Sequence, residues 1–289
     1  MKGNISYELL QKVKRGVRGL PPETRDVMKS FILSRMEESG AFMGKAPGAD
    51  LYYTAFGWCL SSCFGVMPKP SRTAEYLSSF DPDSLDLIHY AAFIKCHLLS
   101  KIGKGSLSSM LKAAITRLPS RRPESFSAFP GDDPESPYSL FMLLNIAQDC
   151  FGYTPNPTEV LASLERYRTG EGLYGGVEGG SSPSVQSTCC ALVLKGYLEG
   201  FRKEEAEGLR SLQKENGGFK ANGTAPVADL LSTAVALFTL SLYGVKPAFN
   251  AFDFIEAHLL DDGSFSSTVL DEDGDIEYLF YGLLSLGCI

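Results

Sequence analysis

The sequence predicts an all-α fold, an (α/α)6 barrel or toroid of six helical-hairpin repeats of about 45 residues. Three observations predict it. An aromatic placed after a turn recurs as Phe42, Phe80, Phe126, Tyr174, Phe219 and Phe265, at spacings of 38, 46, 48, 45 and 46 residues. Glycines that close apolar segments form a second series, Gly65, Gly103, Gly152, Gly200, Gly244 and Gly287, at spacings of 38, 49, 48, 44 and 43. A charged segment such as Glu204 to Lys214 precedes each aromatic, and a nearly uncharged one such as Leu230 to Leu242 follows it. A helix apolar on almost all sides is buried and one with a charged face lies at the surface, so outer and inner helices alternate. Closing six such pairs gives two concentric rings; an open solenoid is the alternative, but no polar capping repeat is visible.

Composition bounds the rest. The length of 289 residues would allow two domains, but the period is unbroken and no Pro/Ser linker interrupts it, so residues 22–289 read as one barrel domain after an N-terminal extension, residues 1–21. No apolar run approaches the ~20 residues that span a bilayer, which predicts no transmembrane segment. Met1 to Gly19 is basic and amphipathic without a signal-peptide core, and the seven cysteines sit mostly in apolar segments. Both features place the protein in the cytoplasm with reduced thiols. A net charge of −7 argues against nucleic acid as a partner.

In chain order, residues 1–20 carry Lys2, Lys12, Lys14, Arg15 and Arg18. They read as a solvated first helix, or as a docking arm or lid. Copy one has its outer helix over Pro22 to Glu38, bounded by Pro21 and Gly40, and Asp50 as the N-cap of an inner helix Leu51 to Phe64. That helix holds Tyr52, Tyr53, Phe56 and the single tryptophan, and its Cys59 and Cys63 share a face, which reads as packing rather than a metal pair. Copy two has outer and inner helices Ser71 to Ser79 and Ser84 to Leu99. Its Asp81, Asp83 and Asp86 suit a helix start. His89 and His97, two turns apart, read as core histidines.

Copy three has an outer helix over Leu107 to Arg117, a long polar loop over 119–136 and an inner helix Tyr138 to Cys150. Copy four runs from Pro157 to Tyr167, through a glycine-rich loop without the P-loop pattern, to Val185 to Leu198. Copy six places an outer helix over Phe252 to Leu260, then an acidic loop, Asp271 to Glu277, before Tyr278 to Leu286. The loop's glycine is displaced from the EF-hand position. Inner-helix starts at Asp50, Asp83, Asp133, Asp229 and Asp275 would gather at one end and make it acidic, attractive to cations such as Mg²⁺ or Ca²⁺. Tyr52, Tyr53, Tyr90, Tyr138, Phe238, Tyr278, Phe280 and Tyr281 are the aromatics offered to the lumen, and Tyr52, Tyr53, Tyr90, Tyr138, Phe238 and Tyr281 are the candidate ligand-binding residues.

The unit Gln-x-x-x-Gly-Gly-Phe, Gln213 to Phe219, resembles the squalene-cyclase repeat of the prenyltransferase and triterpene-cyclase family. The resemblance spans residues 22–287 and implies an (α/α)6 barrel whose aromatic-lined funnel holds an isoprenoid. It also implies a helical partner subunit, since the protein prenyltransferase β subunits pair with one. The catalytic carry-over is thin. Of the three zinc ligands the resemblance implies, Asp229 stands at the aspartate, Leu231 at the cysteine and Tyr278 at the histidine, so zinc is not expected. Where the family holds diphosphate with basic residues this chain has Pro183, Gly223 and Pro226, with Lys220 the nearest cation. The cyclase Asp-x-Asp-Asp acid is matched only by Asp81-x-Asp83 and Asp271-x-Asp273. Asp229, Asp275 and Tyr278 remain as catalytic candidates. The resemblance therefore implies a barrel that binds an isoprenoid or other apolar ligand, with or without transferase activity, or a non-catalytic lipid- or protein-binding module.

Overall fold

A computed structural model describes residues 3–101, 135–151, 156–169 and 173–289. Among them the chain forms twelve α-helices and a single two-stranded ribbon. Helix α1 is Ile5–Gly19 and α2 is Pro22–Ser34. Strands β1, Phe42–Met43, and β2, Ala49–Asp50, precede α3, Leu51–Phe64. Then follow α4 (Pro70–Ser78), α5 (Leu87–Leu99), α6 (Pro137–Ile146), α7 (Pro157–Glu165), α8 (Val185–Glu199), α9 (Glu207–Ser211), α10 (Leu230–Tyr243), α11 (Phe252–Glu256) and α12 (Ile276–Cys288). A π-helical turn, Ala147–Phe151, extends α6.

Six apolar helices, α3, α5, α6, α8, α10 and α12, each pack against the next, and α12 returns to α3. This closed ring distinguishes a barrel from an open solenoid. Helices α2, α4, α7, α9 and α11 lie outside it. The outer helix expected over Leu107 to Arg117 falls outside the described residues, as do Asp133, most of the loop over 119–136 and the start of the glycine-rich loop.

The inner helices begin and end on local signals. Asp50, Asp86, Ser136, Ser184, Asp229 and Asp275 each accept a backbone N–H of the first turn, which satisfies otherwise orphaned donors. Gly65 and Gly244 end α3 and α10 in the left-handed conformation, at φ 71° and 67°. Two expected starts differ. Helix α5 begins at Leu87 because Asp86 is its cap, while Asp81 and Asp83 belong to a preceding 3₁₀ turn. Helix α6 is capped by Ser136. Outer helix α4 has the expected length, one residue earlier, but α2, α7, α9 and α11 are shorter than predicted, because residues such as 212–218 and 257–264 are taken up by the turn that delivers the next aromatic.

That turn is the repeating joint. Phe42, Tyr174, Phe219 and Phe265 are fully buried. The N–H groups of Phe42, Tyr174 and Phe219 donate to the hydroxyls of Thr54, Thr188 and Thr233 at 3.0, 3.1 and 2.9 Å. Each threonine stands four residues after its helix cap. The sixth copy has Leu279 there, buried without a hydroxyl. Three residues further on, Gly57 and Gly282 leave room for the Phe42 and Phe265 rings, and Ala191 and Ala236 hold the same place in the other two copies.

Helix α1 is solvated on one face only. Ile5, Val13, Gly16 and Val17 are buried, and α1 packs on α12 and α3. A Cβ on Gly16 would collide with the Leu283 carbonyl and one on Gly287 with the Lys12 carbonyl, so these glycines let the two backbones touch.

Gln213 ties neighbouring repeats together. Its Nε2 donates to the carbonyls of Gly217 at 2.7 Å and Phe249 at 3.0 Å, and its Oε1 accepts from Phe249 N at 2.9 Å. Gln213→Ala strands these buried backbone groups and is expected to lower stability by about 1–3 kcal/mol in urea unfolding. Gln213→Glu restores the acceptor alone and should recover only part of the loss.

Candidate functional site

The caps set which side chains face the lumen. Counting from each cap, positions two, six and nine point inward. On α3 these are Tyr52, Phe56 and Cys59; on α5, Ile88, Ala92 and Lys95; on α10, Val235 and Phe238 hold the sixth and ninth. Together with the side chains of α6, α8 and α12 they bound a cavity of about 400 Å³. Its middle is apolar, with Phe56, Phe141, Met142, Val193, Phe238 and Phe280, and Asn4, Ser6, Tyr7, Leu9 and Leu10 of α1 cover the end where the inner helices finish. Phe56 packs against Tyr52, Phe280 and Tyr281 with ring centres 5.0, 5.1 and 5.9 Å apart, an arrangement that favours aromatic contact.

Polar groups sit at both ends. At the cap end the Tyr52 hydroxyl donates to Glu277 Oε1 at 2.5 Å. Burial holds the Glu277 carboxyl above the usual range, and the hydrogen bond from Tyr52 only partly offsets it. Burial and the Glu277 charge push the Tyr52 and Tyr281 hydroxyls far up, so both stay protonated. At the α1 end, Asp149 on the π-turn accepts from Ser6 Oγ at 2.6 Å and Asn4 Nδ2 at 3.1 Å. Burial raises the Asp149 carboxyl against those bonds. Lys95 lines the same end, and burial pulls its ammonium down while the Asp149 charge opposes that. A π-turn inside a helix is a frequent feature of functional sites.

Of the candidate ligand-binding residues, Tyr52, Tyr138, Phe238 and Tyr281 line the cavity; Tyr53 and Tyr90 do not. Tyr90 stands four residues after its cap, the position of Thr54 and Thr233, and is buried in the core around α5. Tyr53 stands three after its cap and lies against Gly44. Tyr278 has that same third position and is also off the wall, whereas Phe280 is on it.

Asp229 and Asp275 are spent as caps, bonding Ser232 N at 2.7 Å and Tyr278 N at 2.8 Å, and neither lines the cavity. Burial raises the Asp275 carboxyl, and burial with nearby carboxylates moves the Tyr278 hydroxyl up to about 12. The cap end also carries cations: Lys45 meets Asp271 at 2.6 Å, Arg35 reaches the carbonyls of Gly44 and Gly274, and His89 stands between Asp86 and Asp50 at 2.9 and 3.4 Å. Burial lowers the His89 imidazole, but those two aspartates outweigh it and raise it. Burial instead drops His97 to about 4, where it rests on the Phe93 edge. Among the described residues no three His, Cys, Asp or Glu side chains converge as metal ligands.

Glu277, Lys95 and Asp149 were not singled out as site residues from the sequence. The available signal was register: Lys95 is ninth after its cap and on the wall, while Glu277 is second after its cap and sits behind the wall residue Tyr52.

No protein-family model matches the chain, and no curated protein matches it in sequence. Solved structures do match. Protein geranylgeranyltransferase-I from Candida albicans, complexed with GGPP, aligns with a TM-score of 0.58 at 12% identity, over 99% of this chain and 91% of that one. The type II terpene cyclase MstE from Scytonema, in an apo variant, aligns at 0.55 and 12% identity, over 98% and 97%. The chain has the prenyltransferase and terpene-cyclase fold. A protein from Actinoplanes shares it at a TM-score of 0.56 and 14% identity, over 92% of this chain and 97% of that one. Another MstE variant was solved with its substrate, geranylgeranyl dihydroxybenzoate, at 0.53 and 12% identity.

Glu277 yields a pH test. A carboxyl whose folded pKa is raised binds its proton more readily folded than unfolded. Its penalty is fully present above the folded value and fades as pH falls through it. Glu277→Gln removes that charge, so its stability relative to wild type should be higher at pH 8 than at pH 5, by up to about 1.4 kcal/mol per pH unit of the window. Urea unfolding at both pH values measures it; an equal difference at the two would show that Glu277 does not titrate there.

Proposed function

We propose that the protein is a prenyltransferase-like barrel that binds an isoprenoid or similar apolar molecule in its central cavity, in the cytoplasm. The observation that carries this reading is the cavity itself: an apolar, aromatic-walled space with polar groups confined to its ends, the usual form of a small-molecule site. The solved relatives support it, since two of them carry geranylgeranyl compounds. The free thiols of Cys59, Cys63, Cys96, Cys189, Cys190 and Cys288 suit a reducing compartment, and among the described residues no helix is long and apolar enough to cross a membrane.

Chemistry on the ligand, if the protein performs any, runs without the zinc set of the protein prenyltransferases. Leu231 offers only carbon, and Asp229 is committed to its cap. The protonatable group nearest the aromatic end is Glu277, held by Tyr52. A subunit-type role is the second reading. It is favoured by exposed apolar side chains gathered on the last outer hairpin, Phe249, Phe252, Leu259, Val269 and Leu270, a surface suited to a helical partner.

Native mass spectrometry of the purified protein is the first test, with an added mass in the isoprenoid or lipid range expected. Ala92→Phe places a ring in the lumen and should weaken binding of farnesol at least about ten-fold, measured by quenching of intrinsic fluorescence. Unchanged affinity would move the ligand elsewhere. Turnover of a labelled prenyl diphosphate would make the protein a transferase, and its absence alongside ligand binding would leave a binding module.

A further inference from the structure

We propose that the outward face of α1 docks on an anionic lipid membrane and sets the α1 end of the cavity against the bilayer. The choice of a lipid surface rests on the reading of the cavity as a site for an apolar ligand. The docking face itself stands on charge and exposure.

Helix α1 lies across the end of the ring where the inner helices finish, with Ile5, Val13, Gly16 and Val17 turned into the protein. Tyr7, Gln11, Lys14 and Arg18 follow one another at steps of four, three and four residues. At 3.6 residues per turn they form one stripe on the opposite side of the helix, and Arg15 flanks it.

This face is basic and largely uncommitted. Helix α1 carries Lys12, Lys14, Arg15 and Arg18 against a single acid, Glu8, which accepts from Gly3 N at 2.9 Å. Arg15 donates to the Ile289 carbonyl at 2.9 Å. Among the described residues no side-chain carboxylate comes within 4.0 Å of any of the four cations. Such a cluster stands out on a chain whose net charge is −7. The cap end carries the opposite sign, with Asp81, Asp83, Asp86, Glu272 and Asp273 exposed. A negative surface therefore attracts the α1 end and repels the other, which orients the barrel before contact.

The basic face also borders the cavity. Tyr7 lines the lumen and is 54% exposed, so α1 covers this end but leaves an opening at its edge. Leu9, Leu10, Leu98 and Leu99 line the same end and are only half-buried. A tyrosine at an apolar opening suits the headgroup level of a bilayer, and the neighbouring cations suit an anionic leaflet. A nucleic acid or an acidic protein would use the cations and leave the apolar opening without a role.

Sedimentation with lipid vesicles tests the assignment. At about 0.1 M salt, wild-type protein should bind phosphatidylcholine vesicles containing about 30% phosphatidylglycerol at least about ten-fold more tightly than pure phosphatidylcholine, and should release them at about 0.5 M salt. Lys14→Glu combined with Arg18→Glu should weaken that binding at least about ten-fold. Neither residue lines the cavity, so the farnesol affinity of this variant should match wild type, which also shows that it folds. No binding to anionic vesicles, or binding that survives the charge reversal, overturns the docking face. Equally tight binding of a single-stranded oligonucleotide overturns the choice of lipid. Vesicle binding without farnesol binding removes the cavity reading and leaves the docking face, while farnesol binding without vesicle binding does the reverse. If the double variant does not fold, the salt dependence and lipid preference of wild type decide.

Discussion

The joint between each buried turn aromatic and its inner helix is what the rest of the structure depends on. Phe42, Tyr174 and Phe219 bring a backbone N–H into the core, where an unpaired donor is costly. Thr54, Thr188 and Thr233 answer it from inside the helix. Three positions beyond Thr54, Gly57 leaves room for the Phe42 ring. Together these contacts fix the height and rotation of three inner helices against their outer partners. In the sixth copy Phe265 relies on packing against Gly282 and on its bridge to Asp275.

Rotation fixed in this way decides the lumen. Once the caps are aligned, most of the second, sixth and ninth residues of the inner helices line the cavity, which inherits whatever those positions hold; Asn145, Leu231 and Glu277 do not line it. Most hold carbon: Phe56, Ala92, Val193, Val235 and Phe238. The exceptions collect at the two ends, with Tyr52, backed by Glu277, at one and Lys95 and Asp149 at the other. Helix α1 closes the second end because Gly16 and Gly287 allow its backbone to lie directly on α12.

The fold is shared with enzymes that handle geranylgeranyl compounds, at 12% identity. At that distance the architecture is common and the side chains that do chemistry are not. Position by position, the zinc-type ligands expected from the family pattern fall on Asp229, Leu231 and Tyr278, of which the first caps a helix and the second is aliphatic. The acidic and basic side chains on the cavity wall, Asp149 and Lys95, lie elsewhere in the barrel.

The period, the inner helices and three of their caps, Asp50, Asp229 and Asp275, were legible in the sequence, because each is written in neighbouring residues. Leu51 to Phe64 was bounded to the residue, since Asp50 and Gly65 mark its ends. Outer helices other than α4 were overestimated, because charge alone does not show where a helix gives way to a turn. Among the aromatics, Tyr52 and Tyr53 are adjacent and chemically alike, and only the orientation of α3 in the ring puts one on the wall and the other against Gly44. Sequence could not pair Tyr52 with Glu277, 225 residues apart, or Ser6 with Asp149, 143 apart. Those contacts exist because the ring closes, bringing the last inner helix against the first and α1 across the end. The sequence by itself determined a barrel of helical hairpins; tertiary closure alone decided which buried groups meet inside it.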